Sequence, residues 1–157
     1  MTWATARAEL KSILHAATAS VTLDGEAITD TLTALEYPPR ARQGADALPL
    51  AFVIPPARNI RREANGVRVV EIDEVKVRVI LHDSDEKHAA TRMEAWVGKL
   101  TDLIGANVTL NGILQGSINR QEFTEFSTFG LNGAPPWGFD MMLGLPLGII
   151  DAETRAG

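Results

Sequence analysis

The sequence predicts an α+β domain: an antiparallel β-sheet with two α-helices packed on one face and a long protruding β-hairpin. Three observations carry this expectation. Two segments, one near the amino terminus and one after His82, repeat apolar residues at helical spacing. Short alternating stretches punctuated by Gly, Pro, Asn and Asp surround them. Asn65-Gly66 stands before an extended run from Val67 to His82, and Asn-Gly tolerates the positive φ of a tight hairpin turn.

The chain has 157 residues, the usual size of one domain, and is read as a single domain over 1–157 with a fraying end at 151–157. A chain of this length buries roughly 68–70% of its unfolded surface and needs no covalent staples. It contains no cysteine, which excludes disulfides and thiolate metal sites. Arg7, Glu9 and Lys11 interrupt the first twenty residues, unlike the apolar centre of a signal peptide. No apolar run approaches the roughly 20 residues that span a bilayer. A soluble protein made in a cytoplasm, with no membrane partner, is expected. Fifteen basic residues face twenty acidic ones, for a formal net charge of −5. Duplex binding by counterion release normally needs a basic face, so tight DNA binding is not expected.

In the first segment, Trp3, Ala6, Leu10, Ile13, Leu14 and Ala17 recur at helical spacing, with Thr2 as the cap and an end near Ser20. Asp24-Gly25 reads as a turn. Ile28 to Leu35 alternates as a threonine-rich strand, stopped by Pro38-Pro39. A polar loop over 40–47 leads to an apolar strand, Leu48 to Ile54, closed by Pro55-Pro56. In the long run from Val67, residues Val75, Val77, Val79 and Leu81 share one face, and Glu74, Lys76 and Arg78 the other. The apolar phase slips between 69 and 70 and between 72 and 75, which predicts bulges or strong twist. Asp83 and Glu86 suggest a capping pair for a second helix, whose buried stripe is Ala89, Met93, Trp96, Val97, Leu100, Leu103 and Ile104. Gly105 is expected to end it in a left-handed conformation. Short strands are predicted over Val108 to Leu114 (with a turn at Asn111-Gly112) and Phe123 to Leu131. A closing strand carries Phe139, Met141, Leu143, Leu145 and Leu147; Pro146 suggests that it ends there or lies at an edge.

The cluster most suggestive of chemistry is His82-Asp83-Ser84-Asp85-Glu86-Lys87-His88. The two histidines are six apart, whereas two ligands on one helix face need a spacing of three or four. The cluster is therefore read as a solvated helix start, with no metal and no cofactor. No Ser stands in a nucleophile elbow, and Gly144 and Gly148 fall in an apolar strand with no helix behind them to form a phosphate loop. No catalytic residue is assigned, and His15 is read as a surface or interface side chain. Arg58, Arg61, Arg62 and Arg68 concentrate positive charge around the hairpin. Two readings stand: contact with nucleic acid or an acidic partner, or local pairing with Glu63 and Glu71. Trp137 reads either as an exposed aromatic anchor or as a cover for the sheet edge.

Most of the chain, Thr2 to Ile150, resembles the tail terminator family of long-tailed bacteriophages. The likeness lies in TWATARAELKSILHAATAS, RNIRREANGVRVVEIDEVKVRVILHD, SDEKHAATRMEAWVGKLTDLIG and FDMMLGLPLGII. The resemblance implies a structural virion subunit without catalytic residues. It would form a hexameric ring that caps the tail tube, meets the tube protein and a head-completion or neck protein, and lets DNA pass through its lumen. A free hairpin exposes unpaired edges that a cyclic assembly can cover. The expected contacts are Arg58, Ile60, Arg61, Arg62, Val67, Arg68, Val70 and Ile72 on the hairpin, and Glu74, Lys76 and Arg78 on the charged strand face. The alternative is a small-molecule-binding or enzymatic domain with an apolar pocket under two helices.

Overall fold

A computed structural model describes residues 3–39, 49–62, 66–83, 85–114, 116–128 and 136–154. Within them the α+β expectation holds. Helix α1 (Trp3–Leu14) buries Trp3, Ala6, Leu10 and Leu14, one stripe at helical spacing. Thr2, its expected cap, lies outside the described residues. The helix stops at Leu14, earlier than the periodicity suggests. Ala16 turns to φ 68° and donates its N–H to the Leu32 carbonyl at 2.8 Å, while Leu32 returns one to Ala17. The β-branched run that follows belongs to a strand.

Strands β1 (Thr18–Leu23) and β2 (Glu26–Thr31) form a separate two-stranded sheet. Asp24 (φ 50°) and Gly25 (φ 82°) turn between them, as the dipeptide predicts. The expected strand from Ile28 to Leu35 is split at Leu32, and β3 (Thr33–Leu35) joins the main sheet. The loop expected over 40–47 lies outside the described residues.

The main sheet adds β4 (Leu50–Ile54), β5 (Asn59–Arg62), β6 (Val67–Leu81), β7 (Arg120–Phe123), β8 (Ser127–Thr128) and β9 (Trp137–Thr154). Its order is β3-β4-β6-β9-β7, with β5 also on β6 and β8 also on β9. The β3–β4 pair is parallel and the rest are antiparallel, so the sheet is mixed where an antiparallel one was expected. Residues 36–49 supply the dozen or more that a parallel crossover needs.

Helix α2 (Glu86–Gly105) starts at Asp85, whose side chain accepts the N–H groups of Lys87 (2.8 Å) and His88 (3.2 Å). Asp83, the expected cap, instead accepts the Asp85 N–H. Gly105 ends the helix without a left-handed turn, because Ala106 continues in right-handed helical geometry. The reversal comes at Leu110, Asn111 and Gly112, all with positive φ. Turns occupy the strand predicted over Val108 to Leu114, and Leu110 and Leu114 are buried there. The strand predicted from Phe123 is likewise split into β7 and β8, and residues 129–131 lie outside the described ones.

Both helices cover the same sheet face. Ala51 and Val53 of β4, the Val75–Leu81 row of β6 and Phe139, Met141, Leu143 and Leu145 of β9 share one core with α1 and α2. Phe123 and Phe126 lie against Phe139 at ring-centroid separations of 5.8 Å each.

Candidate functional site

Strand β6 is interior to the sheet, not an arm of a lone two-stranded hairpin. Its upper half pairs with β4 on one side and β9 on the other. Its lower half pairs with β5 (Asn59↔Glu71 to Arg62↔Arg68) and with the end of β9 (Val67↔Thr154 to Ile72↔Ile149). The turn at 63–65 lies outside the described residues; Gly66 has φ 84°. Below Asp73 the described sheet therefore narrows to three strands, β5-β6-β9.

Proline marks the level at which it narrows. Residues 55–58 stand opposite 72–75, so pairing is interrupted between β4 and β5 while the register is kept. Pro55 and Pro56 lack the N–H that a ladder requires. On the other side, Ile72 pairs with Ile149 and Glu74 with Gly144, leaving residues 145–148 opposite Asp73 alone. Pro146 sits in this bulge. It does not end the strand, but beyond Gly144 β9 pairs with β6 alone among the described strands, so Pro146 lies on an edge segment, as its missing N–H suggests. Pairing of β9 with β6 extends to Thr154, opposite Val67. The bulge accounts for the slip predicted between 72 and 75. At 69 and 70 the register is continuous; Val69 and Val70 are both buried, so two-sided burial breaks the alternation there.

The three-stranded part has two edges with no strand partner among the described residues: β5, and β9 beyond Gly144 on the side away from β6. Arg58, just before β5, and Ile60 and Arg62 on it are exposed, with Ile60 at 59%. Ile60 stands opposite buried Val70, and Ile72 belongs to the main core. The strand positions of Arg61, Val67 and Arg68 are described, but their side chains lie outside what is described.

The charged row of β6 crosses the middle of the sheet and makes contacts within the chain. Arg78 clasps its register partner Asp140 through two hydrogen bonds of 2.8 and 3.1 Å. That bonding raises the Arg78 pKa. Glu74 accepts a 2.7 Å bond from Arg120. Lys76 borders a cleft of about 230 Å³ with Pro55, Pro56, Asp73 and Glu74. This is smaller than the roughly 300–1,000 Å³ of ordinary small-molecule pockets, and charged side chains rim it.

The residues around the two histidines fasten the β1–β2 hairpin to α2. Arg92 binds Asp30 through two bonds (2.9 and 2.7 Å) and also meets Asp83 and the His82 carbonyl. The Asp30 bond is the main cause of its raised pKa. His88 contacts Asp24 at 3.0 Å, His82 is exposed, and Ser84 lies outside the described residues. Among the described residues no group of three or more His, Cys, Asp or Glu is placed to hold a metal ion. His15 accepts the Ala34 N–H at 3.2 Å, tying the end of α1 to β3. Trp137 is half-buried and donates to the Asp83 carbonyl, as a cover would. Among the described residues no helix is long and apolar enough to cross a membrane.

No protein-family model matches the chain, and comparison with curated proteins finds no relative.

Proposed function

We propose that the protein is a structural subunit that closes into a ring, and that it acts as a tail terminator in a long-tailed bacteriophage. In that role it caps the tail tube and joins it to a head-completion or neck protein, with DNA passing through the lumen. The observation that carries the assembly reading is Ile60, an exposed branched apolar residue on a strand whose outer edge has no partner among the described residues. An open edge bearing an apolar side chain is a template for another strand, and closed symmetry covers it in every copy. The terminator role rests on the resemblance in element order and segments set out above.

The test is the mass of the pure protein by analytical ultracentrifugation over a wide concentration range, with and without tail tubes. A ring-sized species is expected, and Ile60→Asp should reduce it while leaving the circular-dichroism spectrum unchanged. A protein that stays monomeric at every concentration, with tubes present or absent, overturns the ring. A ring that neither binds tubes nor stops their growth overturns the terminator role alone.

A further inference from the structure

We infer that the open edge of β5 in one copy is filled by the open end of β9 from the next copy, running parallel to it and held by opposite charge. This inference rests on the ring reading and specifies its seam. Residues 58–62 read Arg-Asn-Ile-Arg-Arg, three bases and no acid. The whole of β9 contains Asp140, Asp151 and Glu153 and no Lys, Arg or His, and two of those acids lie in the stretch beyond Gly144. The two edges of these three strands that have no strand partner among the described residues are thus opposite in formal charge.

Strand direction adds a second constraint. β5 and β9 both run antiparallel to β6, so they are parallel to one another. Rotation about a ring axis preserves direction along that axis, so β5 of one copy meets β9 of the next in parallel. A two-fold dimer would instead set β5 against its own copy, antiparallel, joining two basic strands, or β9 against β9, joining two acidic ones. Like charges across a seam disfavour both. The head-to-tail contact is heterologous, the kind that closes a ring when the rotation allows.

The seam is tested with three variants compared with the natural chain by ultracentrifugation. One carries Arg58→Glu and Arg62→Glu, the second Asp151→Lys and Glu153→Lys, and the third all four changes. Each of the first two should weaken assembly roughly 100-fold, because strands of like formal charge then meet. The four-fold variant should recover most of the loss, since a head-to-tail seam regains opposite charges while a two-fold contact between like edges does not. Thermal melts of all three separate lost folding from lost assembly, and Ile60→Lys supplies an independent block of the β5 edge should the β9 variants fail to fold. Assembly of the natural chain should also weaken as salt rises. A ring that persists through the paired reversals and Ile60→Lys, or a four-fold variant that folds and stays dissociated, overturns this seam and leaves the ring standing. A monomeric natural chain overturns both.

Discussion

Arg120 and Glu74 lie on strands that do not pair with each other, yet their side chains meet at 2.7 Å across Gly144 of the strand between. A Cβ built on Gly144 would come within 2.9 Å of the Arg120 Cβ and 3.3 Å of its Nε. The missing side chain is what lets the arginine pass over β9. Both partners are about half exposed (51% and 45%), so the ion pair itself contributes little.

Gly144→Ala should therefore destabilise the fold by about 1–3 kcal/mol through crowding, more than the loss of the ion pair in Arg120→Ala. Chemical denaturation of the two variants compares the costs. An Arg120→Ala loss equal to or greater than that of Gly144→Ala would reverse this ranking.

Arg92 joins α2 to the β1–β2 hairpin through Asp30, and both side chains are largely buried (15% and 9% exposed). Asp30→Ala strands a cation that still has Asp83 and should cost about 3 kcal/mol. Replacing both residues, as Asp30→Leu with Arg92→Met, should cost less than either partner's removal alone. Denaturant midpoints of the single and paired variants provide the check.

Asp85 holds the start of α2, and its carboxyl is lowered from 3.8, chiefly by the N–H of His88, with that of Lys87 adding. A carboxyl depressed in the folded state stabilises the protein above its unfolded pKa, and this contribution fades as pH falls through the lower folded value. Asp85→Asn should keep the cap and flatten the loss of melting temperature below about pH 4, whereas Asp85→Ala should lose the cap at every pH. Melting curves taken from neutral pH down into the acid range below the ordinary carboxyl value distinguish the two.

Trp96 is fully buried, and its indole Nε1 has no hydrogen-bond partner among the described residues. An unmet buried donor carries a desolvation cost, so Trp96→Phe should change stability by less than about 1 kcal/mol, because loss of that donor offsets loss of ring volume. Trp96→Ala should cost about 3–5 kcal/mol. A large loss with Phe would point to a hydrogen bond that the indole makes.

Much of the fold was legible because its signals are local. The stripe from Ala89 to Ile104 identified α2, Asp24-Gly25 identified a turn, and the valines of β6 identified its buried face. The misplaced boundaries have short-range causes that periodicity misses. Ala16 leaves α1 to bond Leu32, and Asp85 outcompetes Asp83 because it accepts two helix-start N–H groups. In the candidate site, the exposed β5 residues and the arginine concentration were readable, but not that β9 runs alongside β6 down to Thr154.

By itself the sequence determined the α+β class, the two amphipathic helices, the long strand that starts at Val67 and the charge of each segment, because spacing and turn chemistry act over a few residues. Only the tertiary structure decided which strands flank β6, where Pro146 is tolerated, and that Arg92 meets Asp30 and Arg78 meets Asp140. Those pairings join residues 62 apart in the chain. Whether such distant groups meet depends on the whole sheet closing at once, which no local pattern encodes.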